Sequence, residues 1–200
     1  MNDTSNAALL LMDYELGICS GPSAGEVERR GVLARAATCL DAARKAAMPV
    51  IHVRVGFVDD YTNKTSASPR FAGIQERKGL LLGTRDTEFC DEVKPASGEP
   101  VVTKSCVDPF IGTNLMELLI GRGIRRVYLG GVSTNMVVES TARHAADSGI
   151  HVTVIEDICA SGEAAMHEFA VTKTLPMFGE LCSSAEFIER AEHSEPGKTA

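Results

Sequence analysis

The feature that most constrains this chain is a series of short, continuously apolar runs separated by stretches with helical spacing. AALLLMD (7–13), VIHVRVGF (50–57), PVVTKS (100–105), RRVYLGGV (125–132) and HVTVIED (151–157) are five of them, and GELCS (179–183) holds a sixth. A strand that is apolar at nearly every position, rather than at every second one, is buried on both faces. Residues 25–47 place Val27, Val32, Leu33, Ala36, Ala37, Leu40, Ala43 and Ala47 at helical intervals, and Met48-Pro49 ends the pattern. LMELLIGRGI (115–124), residues 134–148, residues 161–175 and SSAEFIERA (183–191) read as further helices. For 134–148, Ser133 or Thr134 serves as N-cap and Gly149 as the stop. Strand–helix alternation of this kind predicts an α/β fold, a six-stranded, mainly parallel sheet with helices on both faces.

The stretch 58–98 breaks the pattern, being polar and irregular (VDDYTNKTSASPRF, then TRDTEFCDEVKPASGEP). A connection of that length inside a compact domain is expected to serve function or oligomer contacts. The 200 residues suit one domain, 1–200, with a core from about 7 to 190 and a frayed HSEPGKTA tail.

Composition narrows the partners. A net charge of −7, 5% aromatics and no tryptophan argue against nucleic acid and anionic membranes. No run approaches the ~18 apolar residues of a membrane span. MNDTSNAALLLMDYE has no basic leader, and the six cysteines form no C-x-x-C pair, so a cytoplasmic protein with reduced thiols is expected.

In open parallel sheets ligands bind beyond the carboxyl ends of the strands, where the strand order reverses. Asp13, Lys104 and the Ser133-Thr134-Asn135 turn all fall at such ends. An acid and a lysine brought together there can share a proton, hold a substrate anion or activate water. Polar strand ends are common, so spacing alone supports a structural role equally well. The segment GGVSTNMVVESTAR (130–143) occupies a strand-to-helix turn where α/β hydrolytic enzymes often carry a nucleophile, and it contains no cysteine.

Four segments in order resemble the isochorismatase-like hydrolases: LLLMDYE, VIHVRVGF, VVTKSCVDPFIGTNL and YLGGVSTNMVVESTARHAADSGIHVTVIEDICAS. The likeness runs from about residue 7 to 190. It implies a Rossmann-like sheet, a small-molecule substrate and an Asp, Lys and Cys triad. The Asp carries over onto Asp13. The Lys carries over onto Lys104, in a K-x-x-x-x-x-F-x-G-T-x-L pattern matched by Phe110, Gly112, Thr113 and Leu115. The cysteine of the family's G-V-x-T-x-x-C falls on Val137, which cannot attack a carbonyl. Isochorismatase proper also lacks this cysteine and uses its aspartate as an acid on a vinyl ether.

The resemblance further implies a non-prolyl cis peptide between Val132 and Ser133, and a homo-oligomer, dimer or tetramer. No cofactor is expected. The amides of residues 135–138, at a helix start, are expected to face the site as an anion cradle, with Val132, Ser133 and Val137 as its wall. Phe57 and Phe110, with Arg54, Arg70 and Phe71, are pocket candidates by analogy with relatives, ordinary packing being at least as good an account.

Other candidates weigh less. Cys106, two residues past Lys104 and facing the same side of the strand, is the best substitute thiol and would make the chain a cysteine amidohydrolase. A small packed residue is the stronger reading. Cys159 reads as core, and Cys19 has no assignable role. A third class of function, a catalytically silent binding or assembly module, also fits. Nicotinamidase relatives bind zinc through an Asp-x-His and a second His, whereas HVRVGFVDDY offers only His52, inside a strand, so no metal site is expected. His144 and His151 read as surface residues or as residues just behind the site, and His167, on a helix, is a remote candidate for an oligomer contact. Gly130-Gly131 does not satisfy the dinucleotide fingerprint.

Overall fold

A computed structural model of the chain describes residues 6–193. The tail expected to fray lies outside the described residues from position 194 onward. Six strands, β1 (Ala7–Met12), β2 (Val50–Val55), β3 (Val101–Lys104), β4 (Arg126–Gly131), β5 (His151–Ile155) and β6 (Glu180–Cys182), form one sheet in the order β3-β2-β1-β4-β5-β6. Every pairing within it is parallel.

β1 shows why the apolar runs are continuous. Ala7, Leu9 and Leu11 enter one apolar layer, and Ala8, Leu10 and Met12 enter the opposite one. Side chains alternate across a strand, so a sheet covered on both faces needs apolar residues at both parities. The first layer is closed by α3 (Val32–Lys45) and α8 (Ser184–Glu192), through Val32, Ala36, Cys39, Leu40 and Phe187. The second is closed by α5 (Leu115–Gly121) and α6 (Glu139–Asp147), through Leu115, Leu119, Ala142 and Ala145.

The single helix expected over 25–47 is two. α2 (Ala24–Arg29) stops, Gly31 adopts φ +61, and α3 starts at Val32. That left-handed conformation is open to glycine at little steric penalty, so the apolar spacing continues while the axis turns. The preceding Arg30 reaches the Cys159 carbonyl at 3.0 Å and the Glu156 carboxylate at 2.9 Å.

The 58–98 stretch is more ordered than its composition suggests. It contains α4 (Pro69–Glu76), with Ser68 capping the Arg70 amide and Pro69 in the first turn. This Ser-Pro pair is an ordinary helix start. α4 folds Phe71 and Ile74 onto Val55, Phe57, Tyr61 and Leu80, a small third cluster beside the end of β2. The helix expected over 161–175 is a mixture of α7 (Ala164–Phe169), a π-turn over Ala170–Thr174 and a 3-10 turn over Leu175–Met177.

Candidate active site

The sheet reverses direction of growth between β1 and β4, so the loops leaving these two strands diverge and open a crevice. Asp13 stands immediately after β1, its backbone at φ +58 and its amide bonded to the Val53 carbonyl at 2.9 Å. Lys104, the last residue of β3, is two strands away, a span of about 10 Å between backbones. Its long side chain crosses this span over Val55, and Nζ donates to Asp13 Oδ2 at 2.8 Å and to the Cys106 carbonyl at 3.1 Å. Both residues are buried, Asp13 to 5% exposure and Lys104 to 3%. The two strand-end residues singled out by sequence are therefore brought together.

Burial pushes the Asp13 carboxyl up from its ordinary value, against the pull of Lys104 and the weaker pull of Arg70. Asp13 Oδ1 is buried and has no hydrogen-bond partner among the described residues. Glu15 is fully buried two residues further on, with Oε1 accepting the Val55 amide at 2.9 Å and Oε2 likewise unpartnered. Burial first, and the Asp13 charge second, hold Glu15 well above the usual carboxylate range. Nothing in the sequence singles out Glu15, since an acid at a strand end reads as solvated.

The turn after β4 carries the cis peptide between Val132 and Ser133 that the resemblance implies. It lies close against β1, where the Val132 amide donates to the Met12 carbonyl at 3.2 Å. A Cβ on Gly131 would lie 2.6 Å from that same oxygen, so the close approach requires glycine.

The helix start differs from expectation. Thr134–Val138 form a π-turn, and Ser133 makes no side-chain cap. The Asn135 amide donates to Ser161 Oγ at 3.4 Å, and the Met136 and Val138 amides donate to the Ser133 carbonyl at 3.2 and 3.4 Å. The amide cradle expected over 135–138 is thus largely spent on internal bonds. His167, weighed as an oligomer contact, is buried, and its Nδ1 lies 2.8 Å from Thr134 Oγ1 while Nε2 lies 3.6 Å from Glu156. The outward positions of α7 are taken by Met166 and Phe169 instead.

A cavity of about 30 Å³ lies between these parts. Its inner wall is Asp13, Val55, Lys104, Val132, Ser133 and Val137, and its outer wall comes from α4 and the residues beyond it, Arg70, Phe71, Ile74 and Leu80. No cysteine is among the lining residues. Phe57 and Phe110 do not line it. Phe57 is fully buried beneath Phe71, with ring centroids 5.9 Å apart, and Phe110 stacks on His144 at 4.4 Å. Arg54 lies elsewhere, its Nε bonded to Thr103. Ile18, Val107 and Met136 complete the lining and, like Ile74 and Leu80, carried no signal in the sequence beyond being apolar.

Cys106 does not serve the cavity. Its Sγ donates to the Asp108 carbonyl at 3.2 Å, and burial raises its pKa more than Lys104 lowers it. Cys159 is core, fully buried, with its thiol pushed up to about 12. His52 is also core, bonded through Nε2 to Glu99 at 2.8 Å. His144 bonds Asp108 at 2.8 Å and pins the loop after β3 to α6.

With strand order, switch-point crevice and acid–lysine pair in place, comparison with known proteins places the chain. The isochorismatase domain family model matches residues 7–186, and the chain belongs to the isochorismatase family of hydrolases. It is similar to ureidoacrylate amidohydrolase RutB of Rhizobium rhizogenes, 29% identical over 180 residues, which cover 84% of this chain and 73% of that protein. Maleamate amidohydrolase of Pseudomonas putida is 25% identical over 189 residues, covering 93% of this chain and 87% of that one. Among solved structures, an isochorismatase family protein from Burkholderia thailandensis superposes with a TM-score of 0.79 at 28% identity, covering 94% of this chain and 96% of that one.

Proposed function

We propose that this chain hydrolyses a small anionic metabolite at a C–N or vinyl-ether bond, using Asp13 and Lys104 and no thiol. The observation that carries this reading is the division of labour on one carboxyl group. Asp13 Oδ2 is held by Lys104, while the buried Oδ1 has no partner and is left for a water or a substrate proton. A raised carboxyl pKa suits proton transfer near neutrality, because the group takes up and releases a proton more evenly. Lys104 would balance negative charge as it develops. Val137 stands where the family pattern has its cysteine, and with Val132 and Ser133 it would pack against the substrate.

Arg70, at the start of α4 and on the cavity wall, is the cation best placed to meet a substrate carboxylate. Relatives named for ureidoacrylate and maleamate support an anionic substrate. Six free cysteines support a reducing, cytoplasmic setting. Exposed Phe169 and Met177, at 60% and 67%, support assembly into a dimer or tetramer.

The test is turnover across a panel of ureido acids, amic acids and carboxylated vinyl ethers. Activity in the wild type, lost in Asp13→Asn and Lys104→Met and kept in Cys106→Ser, supports the reading. Full activity in Asp13→Asn refutes it, and a ligand bound unchanged with no turnover across the panel makes the chain a binding module.

A further inference from the structure

We propose that Cys19 and Cys90 are a dithiol modification site, oxidised by hydrogen peroxide to a disulfide beside Asp13 and Glu15. The two residues are remote in sequence and are brought together by the backbone. Cys19 ends α1 (Leu16–Cys19), a single turn, and its amide donates to the Glu15 carbonyl at 2.9 Å. Cys90 follows Phe89, which forms an antiparallel bridge with Glu15. The Cys90 amide donates to the Tyr14 carbonyl and the Leu16 amide to the Glu88 carbonyl, both at 2.9 Å. These bonds clamp segments 14–19 and 88–90 side by side, and both thiols are buried in one apolar layer, close enough for each to shift the ionisation of the other.

The influence has a direction. Cys19 favours the thiolate on Cys90 and lowers its pKa, whereas Cys90 and burial raise that of Cys19. Asp91 and Glu92 oppose the Cys90 thiolate, and Glu15 and Asp13 oppose ionisation of Cys19. Cys90 is therefore the attacking sulfur and Cys19 the resolving one.

The Cys90 thiolate forms an S–O bond to one peroxide oxygen as the O–O bond breaks, releasing hydroxide and leaving a sulfenic acid. Cys19 sulfur then displaces that oxygen, its thiol proton leaving with it as water, and the S–S bond forms. In sum two thiols and one hydrogen peroxide give one disulfide and two waters, with two electrons passing from sulfur to oxygen. Peroxide is close to water in size, so it needs only a small local opening of the fold to reach the buried pair. Cys106, Cys159 and Cys39 have thiols held up by burial, without the lowering that Cys90 receives.

The experiment treats reduced, full-length protein with hydrogen peroxide, blocks free thiols with N-ethylmaleimide, and maps peptides without reduction. The expected result is one cross-linked species joining the Cys19 and Cys90 peptides, abolished by dithiothreitol, with a Tm above that of the reduced protein because the closed loop restricts the unfolded chain. In Cys19→Ser, dimedone is expected to label Cys90, and in Cys90→Ser, Cys19 stays reduced. Recovery of both residues alkylated after peroxide, or oxidation appearing first at Cys106, overturns the proposal. The wild-type map decides the matter even if either variant fails to fold.

Discussion

Lys104 Nζ donates to Asp13 Oδ2 over 2.8 Å, although the two residues stand 91 positions apart in the chain. Both were taken out of water to form that contact, and desolvation of the two charges offsets much of their attraction. The pair is therefore poorly explained as a device for stability, and better explained by what a carboxyl group held at one oxygen can do with the other.

Breaking the pair from one side is expected to be severe. Lys104→Met leaves a buried acid unpaired, and Asp13→Asn leaves a buried ammonium, each at a cost of about 3–5 kcal/mol. The double variant Asp13→Asn/Lys104→Met should lose much less than the sum, since no charge remains to be stranded. Urea denaturation of the four proteins checks this, and simple additivity would deny the coupling.

Val137→Cys should place a thiol in the cavity beside Lys104. It is expected to react with iodoacetamide faster than Cys106, because the neighbouring ammonium lowers a thiol pKa where that of Cys106 is raised by burial. Peptide mapping after brief labelling reads the order of reaction. Equal rates at 106 and 137 would mean that Val137 does not face the site.

Arg70→Met is expected to raise KM about ten- to a hundredfold for carboxylated substrates with little change in kcat, the loss of one charge-assisted hydrogen bond. Steady-state kinetics on a carboxylate and its methyl ester separate the cases. The ester should bind the two proteins alike.

Glu15 gives the fold a pH dependence of definite sign. Its folded pKa lies well above the ordinary 4.5, so its contribution is complete below about that pH and is lost as the pH rises toward the folded value. Glu15→Gln keeps an oxygen for the Val55 amide and cannot ionise. The variant should match the wild type at pH 4, exceed it in Tm at pH 8, and show a flatter profile between. A wild-type Tm higher at pH 8 would reverse the assignment.

Much of this was legible in the sequence, for identifiable reasons. Apolar runs without alternation dictate a parallel sheet covered on both faces, and such a sheet fixes where Asp13 and Lys104 emerge. The resemblance supplied the turn at 132–137. What stayed hidden involves departures from regular periods. The π-turns at 134–138 and 170–174 break the helical period, and on α7 His167 faces inward and Phe169 outward. Gly31 divides a helix without interrupting its apolar spacing. α4 lay within polar sequence, marked only by Ser68-Pro69, yet it supplies the outer wall of the cavity. Glu15 could not be told from a solvated acid, because its burial depends on β2 and the 88–90 segment, which are distant in the chain.

Gly131 sets one limit on how such a site can vary. With the Met12 oxygen 2.6 Å from where its Cβ would be, the spacing between the aspartate's strand and the turn bearing residue 137 is that of bare peptide against peptide. Val137 takes no part in that contact, so a change of side chain there leaves it in place. A methyl group at 131 would wedge the walls apart and spoil the register for every occupant, so on this scaffold the tool is exchangeable and the gauge is not.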